Sequence, residues 1–189
     1  MQDWAVELQG AVWLAWFLFY RFATRSALPD EERESAWSRA SYIVPMLGTV
    51  ALFVWLGWPG WLGQRLIPWG LAIYWAGTAL TIAGLGLTTW ARAALGANWS
   101  GTVSVKAGHQ LVRTGPYRWI RHPMYGGVLV ALLGTALAFG LAHDVAGLLI
   151  AVLALTYKLR IEERWMARAF GNDYAAYRAA TQALVPFLF

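Results

Sequence analysis

Long apolar runs separated by short polar stretches dominate the pattern of this chain. Crossing the hydrocarbon core of a bilayer takes about 20 apolar residues, with roughly 17 to 25 tolerated. Candidate runs lie at residues 4–22, 41–58, 67–90, 124–142 and, shorter than the others, 145–157. Because backbone polar groups cannot remain unpaired in lipid, the pattern predicts a helix in each run. We therefore expect an all-α integral membrane protein with about five transmembrane helices.

The last two runs are separated only by Ala142, His143 and Asp144, which predicts a tight helical hairpin. Composition supports a membrane protein, because 59% of the 189 residues are hydrophobic, only 13% are charged and the mean hydropathy is +0.45. The first ten residues lack the basic region of a signal peptide, so the first run is expected to remain a membrane helix. The absence of cysteine excludes disulfides, Cys-ligated zinc and a thiol nucleophile, and we expect no metal.

The basic residues are distributed unevenly between the two sides of the predicted bundle. With five spans, all of the 15 Lys and Arg residues except Arg65 fall on one side. Basic residues accumulate on the cytoplasmic side of membrane proteins, which predicts an outside N-terminus and a cytoplasmic C-terminus. This topology and the anionic headgroups explain the basic pI, so we expect no nucleic acid partner. The Ala, Trp and Arg usage is typical of a prokaryotic protein, which indicates the inner (plasma) membrane.

Between the third and fourth runs lies a stretch that we call the polar stretch, GHQLVRTGPYRWIRHPMYGG (residues 108–127). It is too polar for a bilayer and too aromatic for a plain linker. The basic-residue count places it on the same face as the C-terminal segment, residues 157–189, so the two can meet. In that segment Gly171 is predicted to end a helix that continues out of the membrane. Asp173 then lies near the start of a short amphipathic helix.

Three motifs resemble the isoprenylcysteine carboxyl methyltransferase family and its prokaryotic relatives. They are LGANWS (95–100), the 108–127 stretch and EERWMARAFGNDYAAYRAAT (162–181). The resemblance implies a small multi-span enzyme that binds S-adenosylmethionine in a cytoplasmic pocket and takes an acceptor laterally from the bilayer. It divides the chain into two N-terminal transmembrane helices (1–66) and a catalytic membrane core (67–189).

The groups of that cofactor can be matched to residues of this chain. Because no Gly-rich dinucleotide motif follows a strand, other residues must hold the ammonium, carboxylate, sulfonium and adenine. Pro123 suits the first position of the fourth helix, whose positive end and N–H groups would face the cofactor carboxylate. His122 before it is biased to an extended backbone. Glu162 is predicted to bind the ammonium.

Backbone and aromatic groups of the polar stretch are expected to hold the rest of the cofactor. Gly108 and the turn at Gly115 allow close approach of the backbone to the adenine edge. Tyr117 and Tyr125 offer faces for adenine or for a cation–π contact with the sulfonium. The predicted cofactor-binding residues are His109, Gln110, Leu111, Val112, Tyr117, His122, Pro123, Met124, Tyr125 and Glu162.

A carboxylate acceptor is already a nucleophile at neutral pH, so methyl transfer to it needs positioning and desolvation instead of a base. A cation at the membrane edge would hold it. Measured back from Gly171, the family's substrate arginine position falls at Lys158, with Arg160 two residues on, and both are predicted to be catalytic and substrate-binding. Asn98, Trp99 and Thr102 are predicted to line the mouth of the pocket and to contact the acceptor.

Alternatives remain open at this level. A methyltransferase of the same architecture could act on a phospholipid amine or a small thiol and would need a base, such as His122 or a Glu. A sterol-type reductase would need a nicotinamide phosphate site, and a membrane scaffold or transporter would not bind S-adenosylmethionine. Structural roles are possible too: His122 as a helix cap, Tyr125 in an interfacial belt, and surface ion pairs between Glu162 or Glu163 and the arginines Arg160, Arg164 and Arg168.

Overall fold

The computed structural model describes residues 3–23, 28–55, 57–106 and 108–184. Within these residues, the structure contains five α-helices and one antiparallel ribbon of two strands. The helices are α1 (Asp3–Ala23), α2 (Ala36–Val54), α3 (Leu71–Leu95), α4 (Pro123–Phe139) and α5 (Ala142–Ala180), and the strands are β1 (Asp30–Arg33) and β2 (Ser104–Lys106). The five predicted helices and the all-helical fold class are confirmed, and the short ribbon is an addition that the sequence did not predict.

Among the described residues, two helices are long and apolar enough to cross a membrane. They are α2, and α3 together with the 3-10 turn that extends it to Asn98. The apolar helix α4 has only 17 residues, at the lower end of the roughly 17 to 25 needed. By length and composition the structure therefore supports two to three apolar spans, fewer than the five expected from the sequence.

The turn between α4 and α5 lies earlier in the chain than predicted. Gly140 ends α4 with a left-handed backbone (φ +66°), a conformation that glycine adopts readily. Ala142, His143 and Asp144 form the first turn of α5 and are buried, so interpreting them as a linker was wrong. Asp144 is the acidic residue of this first turn, a position where a carboxylate suits the positive end of the helix dipole.

Helices α3 and α4 approach closely through glycines spaced seven residues apart on each helix. A Cβ added at Gly84 would lie 2.5 Å from the backbone of Ala131 and Gly127, and one at Gly134 would lie 2.5 Å from the backbone of Gly77. Small residues are the usual means by which membrane helices reach such contact. This tight pair fixes the position at which α4 begins, next to the polar stretch.

Helix α1 is attached to this pair by a buried polar network. The Gln9 side chain, only 2% exposed, donates to Thr81 Oγ1 (2.9 Å) and Thr135 Oγ1 (3.0 Å). Thr78 Oγ1 donates to Gln9 Oε1 at 3.1 Å. Because polar groups in an apolar setting are costly unless paired, these bonds hold α1 in register against α3 and α4.

The ribbon ties the segment before α2 to the segment after α3. Arg33 pairs with Ser104 and Asp30 pairs with Lys106 in antiparallel register. The carboxylate of Asp30 also accepts a hydrogen bond from Ser104 Oγ at 2.6 Å. The ribbon thereby places the N-terminal part of the chain beside the polar stretch.

Helix α5 is interrupted at Gly171, where the sequence predicted a helix end. Gly171 has φ +49° and ψ −121°, and a second helical segment then runs to Ala180. Tyr177 on that segment donates a hydrogen bond to the Tyr117 carbonyl at 2.7 Å, and Arg113 Nη2 donates to the Asp173 carbonyl at 3.0 Å. The polar stretch and the C-terminal segment therefore meet, as expected from the charge pattern.

Candidate active site

A cavity of about 340 Å³ lies where the polar stretch meets the helix bundle, and all five helices contribute to its wall. Its volume falls in the range of roughly 300 to 1,000 Å³ found for small-molecule sites. The wall contains these predicted site residues: Asn98, Trp99, Thr102, His109, Gln110, Leu111, Val112, Tyr117, His122, Met124, Tyr125, Lys158 and Glu162. Pro123 and Arg160 are not part of the wall.

Glu162 lies at the centre of a cluster of polar side chains on this wall. Tyr125 donates its hydroxyl hydrogen bond to Glu162 Oε1, and His122 Nδ1 lies 3.5 Å from Oε2. Lys158 Nζ, one helical turn earlier on α5, is 3.8 Å from Oε1. The rings of His122 and Tyr125 stack with their centroids 5.5 Å apart and an interplanar angle of 5°. The cluster presents a carboxylate and an aromatic face to the same cavity.

A second carboxylate, Glu163, lies next to this cluster and contacts His122, Arg121 and Arg178. Arg121 Nε donates to Glu163 Oε1 at 2.7 Å, and Arg178 Nε lies 3.7 Å from Oε2. His122 Nε2 is 3.6 Å from Glu163 Oε1, and this buried nitrogen has no hydrogen-bond partner within the described residues. Glu163 therefore pairs with arginines of the polar stretch and of the C-terminal segment.

The imidazole of His122 is held between two carboxylates, outside the apolar spans. Burial lowers the pKa of His122, but the facing Glu162 and Glu163 outweigh burial and raise this pKa above its usual value. Burial raises the pKa of Glu163, but His122 and Arg121 outweigh it and lower the pKa to about 2. The pKa of Glu162 is lowered for a similar reason, because His122 and Lys158 overcome burial. Both carboxylates are thus ionised at neutral pH, and protonated His122 is a poor base.

Lys158 lies on the cavity wall, whereas Arg160 does not. Lys158 is 9% exposed, and its Nζ donates to the Gly101 carbonyl at 3.2 Å. The same nitrogen lies 4.9 Å from the ring centroid of Tyr42 and 5.4 Å from that of Tyr125. Arg160 is exposed on another face of α5, since helix positions two residues apart do not face the same way.

Residues 98–104 and 109–112 form another part of the cavity wall. Gln110 N donates to Asn98 Oδ1 at 3.0 Å, which joins the segment after α3 to the polar stretch. Gly108 has φ +64°, so the chain can turn sharply there. The His109 ring packs edge-on against Phe170 at 5.3 Å. Residues 109–112 thus line the cavity, and the binding of adenine by their backbone stays a prediction.

Pro123 occupies the first position of α4, as predicted, but lies buried behind the wall. The N–H groups of Tyr125 and Gly126 both donate to the His122 carbonyl at 3.1 Å. The side chain of His122 makes no capping hydrogen bond, so its cap function comes from the backbone alone. That the start of α4 binds a cofactor carboxylate stays a prediction, and the N–H groups of Tyr125 and Gly126 are already engaged.

Several wall residues were not predicted. Trp16 and Tyr20 of α1, Met46 of α2 and Arg121 were not among the predicted site residues, and neither were Tyr174 and Tyr177, although all line the cavity. The first two helices were interpreted only as apolar spans, and apolar composition does not distinguish a cavity wall from a lipid-facing surface. The aromatic pair of Trp16 and Tyr20, four residues apart on α1, was the one available signal.

Comparison with known proteins assigns the family. The family model described as phospholipid methyltransferase matches residues 72–173, more than half of the chain. The chain belongs to the phospholipid methyltransferase family. This is a family of S-adenosylmethionine-dependent membrane methyltransferases, which confirms the family resemblance predicted from the sequence motifs and an integral membrane environment.

Individual relatives within and around this family share only about a third of their aligned residues with the chain. It is 31% identical over 118 residues to protein-S-isoprenylcysteine O-methyltransferase of Saccharomyces cerevisiae, covering 59% of the chain and 48% of that protein. It is 35% identical over 113 residues to the cobalt-zinc-cadmium resistance protein CzcN of Cupriavidus metallidurans, covering 58% of the chain and 50% of that protein. The chain thus spans about half the length of these relatives.

A solved structure shares the fold. The eukaryotic intramembrane Ras methyltransferase, isoprenylcysteine carboxyl methyltransferase, superposes with a TM-score of 0.58 at 21% identity. The match covers 84% of this chain and 55% of that one. The two proteins therefore share the arrangement of their helices.

The wall residues fit the groups of S-adenosylmethionine. The carboxylate of Glu162 suits an ammonium, and the stacked pair of His122 and Tyr125 presents an aromatic face beside it. Backbone groups of residues 109–112 suit the adenine edge. The unpartnered Nε2 of His122 shows that this polar cluster is not fully satisfied by the described residues themselves.

Proposed function

We propose that this chain is a membrane methyltransferase that acts on the carboxylate of a lipid-like acceptor of the isoprenylcysteine type. The observation that carries the proposal is the position of Lys158, which extends its ammonium along the cavity wall beside the Glu162 cluster. A carboxylate leaving water needs a fixed cation to offset its desolvation. The yeast relative is a protein-S-isoprenylcysteine O-methyltransferase, which supports the same acceptor class.

The proposed cofactor side of the cavity consists of Glu162, Tyr125, His122 and the backbone of residues 109–112. S-adenosylmethionine, when bound, supplies an electrophilic methyl group on its sulfonium. Glu162 would bind the ammonium, and its place next to Tyr125 and His122 keeps the carboxylate oriented. The aromatic face of Tyr125 suits a cationic sulfur, a contact of about 0.5 to 2 kcal/mol.

The proposed acceptor side consists of Lys158 with Asn98, Trp99 and Thr102. Lys158 would hold the acceptor carboxylate in line with the methyl group, which is the main contribution to catalysis when the nucleophile is already ionised. The apolar wall residues of α1 and α2, such as Trp16 and Met46, would exclude water from the reacting atoms.

A phospholipid amine is the second candidate acceptor, because the family model carries that description. An amine is protonated near neutral pH and needs a base. His122 is unsuitable, since its raised pKa keeps it protonated, and Glu162 and Glu163 have lowered pKa values that make them weak bases. The electrostatics of the wall therefore favour the carboxylate acceptor.

The pH dependence of methyl transfer distinguishes these acceptors. With labelled S-adenosylmethionine and N-acetyl-S-geranyl-cysteine, we expect transfer that does not rise between about pH 6 and 8, because a carboxylate with pKa near 4 is ionised throughout. Transfer only to phosphatidylethanolamine, rising about tenfold per pH unit, would establish the amine acceptor and refute the proposal.

The proposed orientation has the N-terminus outside and the cavity on the cytoplasmic side of the inner membrane. It rests on the five spans predicted from the sequence, which put the basic residues on one side with Arg65 alone on the other. Green fluorescent protein fused after Phe189 should fluoresce, and alkaline phosphatase fused there should be inactive. A phosphatase inserted after Arg65 is the matched control and should be active. The reverse pattern would show that the cavity opens to the outside.

A further inference from the structure

Glu34, just before α2, is a buried carboxylate in a part of the chain for which the sequence suggested no function. Its side chain is among the buried polar groups, with the residue 6% exposed. Oε1 accepts hydrogen bonds from the Tyr42 hydroxyl and from Val103 N (3.1 Å), and Oε2 accepts from Ser38 Oγ (2.6 Å). A buried carboxylate with three donors is a fixed structural group, not a solvated surface charge.

Glu34 joins two segments that are distant in sequence. Its backbone N donates to the Val103 carbonyl at 3.1 Å, next to the pairing of Arg33 with Ser104 in the ribbon. The carboxylate binds the Val103 N–H as well, so backbone and side chain of Glu34 hold the same residue. The segment that contains Gly101 is therefore fixed relative to the start of α2.

Both groups fixed by Glu34 contact Lys158. The ring of Tyr42, whose hydroxyl binds Glu34, lies 4.9 Å from Lys158 Nζ. The Gly101 carbonyl, two residues before Val103, accepts a hydrogen bond from the same Nζ at 3.2 Å. On the other side Lys158 faces Glu162. The Lys158 ammonium thus lies between Glu162 on one side and, on the other, the Tyr42 ring and the Gly101 carbonyl that Glu34 holds in place.

We propose that Glu34 is a positioning residue that fixes the Tyr42 ring and the Gly101 carbonyl and thereby holds the Lys158 ammonium at the cavity wall. A lysine has a flexible four-carbon stem, so an ammonium that is already ordered loses less entropy when it binds an anion. The use of this ammonium for an acceptor carboxylate rests on the proposed function. The ordering of Lys158 by Glu34 does not.

Two substitutions at position 34 distinguish a loss of Lys158 positioning from a general loss of folding. In Glu34→Gln the amide oxygen can still accept from Tyr42 and Val103, and the amide N–H can donate to Ser38 Oγ, so the support is preserved. Glu34→Ala removes all three bonds. Tyr42→Phe, a milder variant, removes only the hydroxyl bond to Glu34 and keeps the aromatic face. Ser38→Ala is the matched control, because Ser38 binds Glu34 without leading to Lys158.

The first measurement needs no substrate. The protein is acetylated with an amine-reactive ester in detergent, and the rate at Lys158 is followed by peptide mass spectrometry; Lys106 is the only other lysine. If Lys158 is released from the wall, its acetylation rate is expected to rise at least about fivefold in Glu34→Ala and about twofold to threefold in Tyr42→Phe. In Glu34→Gln and Ser38→Ala the acetylation rate of Lys158 should stay near that of the wild type. Equal rates in all variants would overturn the inference.

The second measurement tests what the ordered ammonium does. In Glu34→Ala we expect the KM for N-acetyl-S-geranyl-cysteine to rise at least about tenfold with the S-adenosylmethionine Kd unchanged, and Glu34→Gln to restore the wild-type KM. Parallel loss of cofactor affinity and acceptor use would indicate general destabilisation and refute a positioning role. If the labelling rates change as expected but wild-type protein transfers no methyl group to this acceptor, the proposed function fails while the ordering of Lys158 stands.

Discussion

Replacing Glu162 by glutamine is expected to weaken S-adenosylmethionine binding at least about tenfold, since a hydrogen bond to a charged group contributes roughly 1.5 to 3 kcal/mol. The substitution preserves the shape of the side chain and the bond from Tyr125, and it removes only the negative charge. Titration calorimetry of the purified protein in detergent measures the affinity directly. A scaffold or transporter would show no binding in the wild type.

Controls make the Glu162 experiment specific. Glu32→Gln makes the same chemical change at an exposed position and should leave the affinity unchanged. Because the pKa of Glu162 is lowered, its charge persists below the usual carboxylate range, and wild-type affinity should be preserved at mildly acidic pH until the pH falls through that lowered pKa. Unaltered affinity in a folded Glu162→Gln protein would reduce Glu162 to an ion-pair partner of Lys158 and His122.

The helices and the polar stretch were accessible from sequence because both depend on local patterns. Apolar runs mark α2, α3 and α4, and the density of His, Tyr and Gly marks the polar stretch. Gly171 was identified as a helix break because the positive φ found there is a conformation that glycine adopts readily. These features need no knowledge of which element packs against which.

Features that depend on tertiary contacts were not accessible. The strand Asp30–Arg33 has no apolar alternation that would indicate a strand, and it forms only because Ser104–Lys106 pairs with it. Glu34 looks like one more charge in an acidic stretch, yet contacts with Tyr42 and Val103 bury it. Among the described residues two to three helices qualify as apolar spans, and the count of five stays a prediction, because apolar length alone does not separate a full span from a buried helix.

The choice between Lys158 and Arg160 also depends on tertiary contacts that the sequence does not reveal. Spacing from Gly171 placed both cations on α5, and only the rotation of the helix about its axis decides which faces the cavity. That rotation follows from packing: Leu155, Lys158 and Glu162 share the cavity-facing side, and Arg160 is exposed. The assignment of function to Lys158 remains a proposal that substitution can test.

Lys158→Met is expected to lower kcat/KM for N-acetyl-S-geranyl-cysteine about 100-fold, equivalent to ~2.7 kcal/mol, which lies within the range for removing one partner of a buried charge pair. Methionine has a similar length and no charge, so the wall keeps its volume. The cofactor Kd is expected to change less than about threefold, because Tyr125 and His122 continue to orient Glu162.

Arg160→Met is the matched control for this loss, as it removes a cation of the same helix that does not reach the cavity. It should leave both kcat/KM and cofactor affinity within about twofold of wild type, since an exposed charge contributes little. If Arg160→Met were damaging and Lys158→Met silent, the acceptor would bind on the other face of α5. If both were silent while methyl transfer to the carboxylate continued, no fixed cation would be required, and the desolvation argument that favours a carboxylate acceptor would fail.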